Sequence, residues 1–283
     1  MLRLYNSPVR EGLKEVLSRT QRSLLISSPY IKVREADWVC NELARKNASP
    51  VRLQLLTDVR SENVLNGSLD IKALTLFAEA LPNTTIVNLP RIHAKVYIAE
   101  SDFALVTSAN LTPAGLDNNF EYGVGVDDTS IVSSVRNDLE AYARLGNILS
   151  TTTLDELVRT ADDISFEYRR LQKSAGRKLR KRFSEKLRSA NYEFLRAQVG
   201  TRSAHSLFSE AIIYSLSLGP LPTRQLHPKV QSLLPDLCDD STELVIDGEF
   251  FGKKWKHAVR NAQQYLKRVG KVSFDGKVWA LKD

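Results

Sequence analysis

The residues best suited to chemistry lie between Ile92 and Val124. His93 and Lys95 are two positions apart, so on a strand both side chains project into the same space. An imidazole beside an ammonium is a chemically specific pair. The imidazole can attack a phosphorus centre while the ammonium holds the non-bridging oxygens. Downstream, Val106 and Thr107 end a strand, and Ser108 and Asn110 bring neutral donors for phosphate oxygens. Glu121 is placed to accept a hydrogen bond from an imidazole nitrogen, which would fix its tautomer and stabilise the cation formed during reaction. An isolated histidine is more often a core group that only hydrogen-bonds, and a lone H-x-K carries no weight. His227-Pro228-Lys229 has the same spacing but lacks a downstream S-x-N, and Pro228 opposes a central strand. His205 and His257, like His227, lie in ordinary surroundings. No set of His, Cys and carboxylates shows metal-ligand spacing.

Those residues need a scaffold, and residues 1–165 alternate strand-like and helix-like segments. Ser23–Ile31 is a short apolar run ending at Pro29, and Arg34–Lys46 spaces its apolar residues for a helix. Val51–Thr57 alternates with period two, and Leu69–Ala80 reads as a helix closed by Pro82. Thr84–Leu89, Ala94–Ile98 and Phe103–Thr107 are three further strands, rich in β-branched residues. Strands interleaved with helices predict an α/β sheet covered on both faces.

At 283 residues the chain has room for two domains, and its 42% hydrophobic and 26% charged residues suit globular cores. The formal charge of +7 is uneven. Residues 1–165 carry 17 basic and 21 acidic side chains, a net −4, whereas residues 166–283 carry 23 and 12, a net +11. A polyanion partner for the second part follows. Cys40 and Cys238 are too few for a disulfide scaffold or a cysteine-rich zinc module. With no apolar h-region and no run approaching about 18 apolar residues, a soluble cytoplasmic protein without membrane attachment is expected.

Residues 166–204 read as a basic helical connector in which Lys178, Lys181 and Arg182 either face solvent or meet phosphates. In residues 205–283, Leu207–Leu218 predicts a helix stopped by Gly219-Pro220, and Thr223 can cap a second. Gly252–Val269 is the strongest helix, with Trp255, Ala258, Val259, Ala262, Tyr265, Leu266 and Val269 at helical spacing and Gly270 as its stop. Lys271–Phe274 and Lys277–Leu281 then flank Asp275-Gly276, a dipeptide favoured in two-residue hairpin turns. Helices followed by a tight β-ribbon are the layout of a winged helix-turn-helix.

The stretch Ile92–Val124 resembles the phospholipase D superfamily, whose signature is H-x-K-x4-D-x6-G-S-x-N. His93, Lys95, Ser108 and Asn110 fall at the family spacings, and Glu121 falls at the acidic residue that follows in the family's single-motif nucleases. Glu100 stands at the family Asp, in a supporting role, and Thr107 at the family Gly, where it costs backbone freedom at the turn. The likeness extends more loosely over residues 1–165, including Ser28–Tyr30. It implies a phospholipase D-like α/β fold, a mixed sheet sandwiched by helices. The implied mechanism is metal-independent. One histidine attacks phosphorus to give a phosphohistidine, a second protonates the leaving oxygen, and water hydrolyses the intermediate. Two motifs are required and this chain has one, so the resemblance implies a homodimer with the active site on its two-fold axis.

Ala211–Lys282 is similar to the winged-helix domain at the N-terminus of Mrr-type restriction endonucleases, through Gly219–Thr223, the helix bearing Trp255, Arg260, Ala262, Tyr265 and Leu266, and the closing Trp279-Ala280-Leu281. Lys253, Lys254, Lys256 and Arg260 are then candidates for contact with double-stranded DNA. The combined expectation is a DNA endonuclease of a restriction or phage-defence system, divided into a catalytic domain (1–165), a connector (166–204) and a winged-helix domain (205–283). Methyltransferase or helicase partners would be encoded elsewhere. Two other readings stay open. One is a phospholipid or small phosphodiester hydrolase, and the other is a non-catalytic DNA-binding regulator that dimerises through its phospholipase D-like half.

Overall fold

The computed structural model describes residues 2–46, 50–173, 203–246 and 249–282. The chain divides into two units, Met1–Gly200 and Thr201–Asp283. The first begins with β1 (Leu2–Asn6), α1 (Arg10–Arg19), β2 (Ser23–Ser27), α2 (Val33–Lys46), β3 (Arg52–Thr57), α3 (Ser61–Leu65) and α4 (Ile71–Ala80). It continues through β4 (Thr84–Asn88), β5 (Lys95–Ala99), β6 (Phe103–Thr107), a π-helical turn (Ala114–Asn118), β7 (Tyr122–Val126), α5 (Thr129–Ala143), β8 (Asn147–Ile148) and α6 (Thr151–Lys173).

Eight strands form one mixed sheet in the order β1-β7-β6-β5-β2-β3-β4-β8. The pairs β2·β3 and β3·β4 are parallel, and each is joined through helices, as parallel crossovers require. The other pairs are antiparallel. Alternation along the strands splits the apolar residues between two faces. Leu24, Ile26, Leu53, Leu55, Tyr97 and Ala99 pack with residues of α1, α2, α4 and α6. Leu25, Leu56, Val96 and Ile98 pack on Val132 and Leu139 of α5. Helices cover both faces, as expected, but unequally. On the α5 side Leu2, Leu4 and Val106 remain 66%, 68% and 40% exposed. Cross-strand register places Leu2 opposite Val126, and both Leu4 and Val106 opposite Val124, on that same face.

The second unit contains α7 (Ala204–Ser217), α8 (Thr223–Leu233), β9 (Glu243–Ile246), β10 (Glu249–Lys253), α9 (Lys254–Arg268), β11 (Val272–Phe274) and β12 (Trp279–Leu281). Its three helices, the closing hairpin and the stop at Gly270 (φ +77) follow the sequence expectation. The β9–β10 ribbon does not, and it stands between the second and third helices. Leu221 exchanges backbone hydrogen bonds with Trp279 at 2.9 and 2.8 Å, adding a third edge to the closing hairpin. That hairpin turns through four residues rather than two, because Phe274 pairs with Trp279 and the Asp275 carboxylate accepts from the amides of Lys277 and Val278. Thr223 does not cap α8. The N-cap is Pro222, and the Thr223 hydroxyl accepts from Trp279 Nε1 at 3.0 Å. Along α9, Trp255, Val259, Ala262, Gln263 and Leu266 are buried, whereas Tyr265 and Val269 face outward.

Burial pushes the thiols of Cys40 and Cys238 up to about 12. Among the described residues no helix is long and apolar enough to cross a membrane. Lys178, Lys181 and Arg182 lie outside the described residues.

Candidate active site

The strand register gathers the motif residues at one end of the sheet. Lys95 opens β5 opposite Thr107, the last residue of β6, and Thr107 lies opposite Gly123 near the start of β7. Ser27 at the end of β2 lies opposite Val96. The start of β5 therefore shares an end with the carboxyl termini of the parallel strands, where open α/β sheets bind ligands.

His93 is exposed, while Lys95 is buried. Lys95 Nζ lies 2.9 Å from both Nδ1 and Nε2 of His93 and donates to the His93 carbonyl at 2.9 Å. Burial lowers the Lys95 pKa, and the charge of Glu121 opposes that shift. A partly desolvated ammonium against an accessible imidazole can act on an oxyanion at short range with little solvent screening.

Glu121 takes a different partner from the one its sequence position suggests. Its carboxylate accepts from the Ser108 hydroxyl and from Asn119 Nδ2 at 3.2 Å, not from His93. Ser108 Oγ also accepts the amide of Tyr122 at 3.1 Å. Asn110 Oδ1 is buried and has no hydrogen-bond partner among the described residues. The Asn110 segment is held from the loop that follows β2. The fully buried Ser28 accepts the Leu111 amide at 3.1 Å, and Lys32 donates its amide to the Leu111 carbonyl at 3.0 Å.

Behind Asn110 stands the π-helical turn, and π-bulges often occur at functional sites. Arg10 grips this turn through Asp117, with Nε and Nη2 each 2.6 Å from a carboxylate oxygen. The guanidinium holds the Asp117 carboxyl below its usual range. Arg10 Nη2 also reaches Glu35 at 3.2 Å. Burial raises the Glu35 pKa, and its Oε2 has no partner among the described residues. Ser7 completes the support by accepting the Glu121 amide and donating to the Asn119 carbonyl. Neither apolar periodicity nor motif spacing in the sequence signals Ser7, Arg10 or Asp117.

Glu100 lies at the opposite end of β5, with φ +50. Its carboxylate accepts the amides of Gln21, Arg22 and Ser23 at 2.8, 2.6 and 3.0 Å. Burial works against its ionised form, but these donors outweigh burial and lower its pKa. Its support is thus to a strand junction remote from His93. Thr107 needs no glycine-like backbone, because it stays in β6. Its hydroxyl donates to the Tyr122 carbonyl at 2.8 Å and accepts the Ala109 amide at 3.1 Å.

In the second unit His227 is buried inside α8, with Nε2 3.1 Å from Gln263 Oε1. Lys253 pairs with Glu243 at 3.1 Å, and Lys256 Nζ lies 5.4 Å from the Trp255 ring centroid. Lys254 and Arg260 are exposed.

Residues 13–143 match the family of the cardiolipin synthase, PLD-like domain. That span holds all five motif residues and excludes the second unit. No curated protein matches the chain. Among solved structures, NucT from Helicobacter pylori is 19% identical with a TM-score of 0.41, over 50% of this chain and 93% of that one. The phospholipase D family member Nuc from Salmonella typhimurium is 17% identical with a TM-score of 0.43, over 53% and 97%. Phosphatidylserine synthase from Haemophilus influenzae is 15% identical with a TM-score of 0.47, over 61% and 46%.

Proposed function

Taking residues 13–143 as a phospholipase D-like domain, we propose that the chain is a metal-independent, homodimeric DNA endonuclease of a restriction or phage-defence system, acting in the cytoplasm. The observation that carries this reading is the Lys95 ammonium 2.9 Å from both ring nitrogens of the exposed His93. A ring nitrogen attacks phosphorus. A nitrogen–phosphorus bond forms as the phosphorus–oxygen bond to one side of the diester breaks, and Lys95, Ser108 and Asn110 balance charge on the non-bridging oxygens. A second imidazole protonates the leaving oxygen, and water then cleaves the nitrogen–phosphorus bond to restore His93.

That second imidazole comes from another copy of the chain. Support for the pairing is the apolar surface left open near the site. Leu2, Leu4 and Val106 are exposed, Tyr122 is 54% exposed and Phe120 fully so. DNA as substrate is supported by the net +11 of residues 166–283 and by Lys253, Lys254, Lys256 and Arg260 in and beside the first half of α9. The order helix, edge strand, helix, ribbon, helix, hairpin suits a winged helix whose α9 enters a major groove. Lys178, Lys181 and Arg182 of the connector add phosphate contacts in this reading.

The test is plasmid nicking in excess EDTA with wild type and His93→Ala. Cleavage in EDTA that His93→Ala abolishes, with DNA affinity retained, is the expected result. Loss of all cleavage in EDTA, restored by Mg²⁺, refutes the mechanism. DNA binding without cleavage under any condition identifies a regulator, and hydrolysis of small diesters or phospholipids alone identifies a different substrate.

A further inference from the structure

The turn that delivers His93 is held by Asp58, just after β3, as well as by Lys95 of β5. His93 lies outside the strand ladder, because β5 begins at Lys95. The preceding backbone leaves β4 with the Leu89 amide on the Thr57 carbonyl at 2.9 Å, then closes on itself with the Ile92 amide on the Leu89 carbonyl at 3.1 Å. Within that turn Arg91 has φ +66, a left-handed conformation that a non-glycine residue holds only where its surroundings impose it.

Asp58 supplies the constraint. Its Oδ2 accepts the Arg91 amide at 3.0 Å, and the residue is 2% exposed. A carboxylate this buried needs a cation and further donors. Arg60 Nε lies 2.9 Å from both oxygens and Nη2 lies 2.6 Å from Oδ2, a fork that fixes the carboxylate plane. The backbone around Asp58 is anchored too, with Asn63 Nδ2 on the Asp58 carbonyl at 3.0 Å and the Val59 amide on Asn88 Oδ1 at 2.9 Å. A rigid, charged acceptor thus sits at the end of β3 and binds an amide two residues before the imidazole.

We propose that Asp58 is a positioning residue for His93: by holding the Arg91 amide in its left-handed turn, it fixes the imidazole against the Lys95 ammonium. Its kinetic consequence rests on the phosphohistidine reading, since a misplacement of about 1 Å can cost on the order of 100-fold in rate when attack geometry matters. The contact is made by the Arg91 N–H in its left-handed backbone conformation.

The test uses the full chain, bis(p-nitrophenyl) phosphate as substrate, and the ring C–H signals of His93, assigned by their loss in His93→Ala. Asp58→Asn keeps an acceptor but loses the charge that Arg60 grips. It should lower kcat by about 10- to 100-fold with KM within about threefold, and shift or broaden the His93 signals. If Asp58→Asn does not fold, Arg60→Lys weakens the fork while preserving charge and should show the same split to a lesser degree. An Asp58→Asn protein with kcat within twofold of wild type and unmoved His93 signals overturns the proposal. Wild type and His93→Ala that act alike on the diester refute the phosphohistidine reading instead, and the spectroscopic arm still decides whether Asp58 positions His93.

Discussion

Replacing Gly115 by alanine perturbs the site from behind without touching a motif side chain. A Cβ at Gly115 would lie 2.5 Å from the carbonyl oxygen and 2.7 Å from the amide nitrogen of Asn110. Both are backbone atoms, so no rotamer change relieves the clash. Restoring an ordinary approach of about 3.4 Å requires a retreat of about 0.7–0.9 Å. The Asn110 segment has little freedom to retreat, because the Leu111 amide is bound to Ser28 at 3.1 Å and the Asn110 carbonyl accepts the Thr112 amide at 2.8 Å. Overpacking of this kind costs about 1–3 kcal/mol, which is a melting temperature lower by about 3–9 °C for a unit this large. In the proposed mechanism Asn110 holds phosphate, so a shift of it approaching 1 Å should lower kcat by about 10- to 100-fold. The assay is diester hydrolysis and thermal unfolding of the same preparation. Gly67→Ala serves as control, because nothing lies within 4 Å and only its φ of +74 is strained. It should lose about 1 kcal/mol and no activity. A Gly115→Ala protein with kcat within twofold of wild type and an unchanged melting temperature would show that the π-helical turn yields without moving Asn110, and the reasoning would be wrong.

Glu121→Gln should move the alkaline limb of the pH–rate profile to lower pH. Burial already lowers the Lys95 pKa and the Glu121 charge opposes that, so removing the charge lets the ammonium lose its proton sooner; an unmoved limb contradicts the assignment. In the second unit burial lowers the His227 pKa despite the Gln263 hydrogen bond. The folded unit therefore holds a neutral imidazole, whose stabilising contribution is complete above the unfolded value near 6.5 and is lost as pH falls through the lower folded value. Urea unfolding at pH 7.5 and 5.5 should show that loss, at up to about 1.4 kcal/mol per pH unit, and His227→Asn should reduce it. Lys254→Ala should weaken duplex binding and reduce the log–log salt slope by about 0.9; fluorescence anisotropy over a salt series measures it, and an unaltered slope removes Lys254 from the interface.

Much of the scaffold was legible because interior strands of this sheet are buried on both sides. β2 reads as a short apolar run, β3 as a period-two alternation and β4 to β6 as stretches rich in β-branched residues, and their register then carries His93, Lys95, Ser108 and Asn110 to one end. β1 and β7 left no such signal. β1 is an edge strand with Leu2 and Leu4 in the open. In β7 two glycines stand where apolar side chains would normally alternate. At Gly125 a Cβ would fall 2.7 Å from the Tyr5 ring and 3.0 Å from the Phe103 ring, so its place in the pattern is taken by side chains from other strands. The β9–β10 ribbon was hidden in the same way, since Phe250 and Val245 face outward rather than into a core.

The amino-acid sequence by itself singled out the candidate set, because His93, Lys95, Ser108 and Asn110 stand at the short spacings H-x-K and S-x-N, although only Lys95 of these lies within a strand. It also determined where charge accumulates, since +11 over residues 166–283 needs no fold to be counted. Only the tertiary structure decided how that set is held. Glu121 meets Ser108 rather than His93, Asp58 reaches Arg91 across 33 positions, and Arg10 reaches Asp117 across 107. Periodicity reports which side of an element is apolar. It carries no information about which loops a strand order brings to the same end of a sheet, and there the polar groups find partners according to packing and burial.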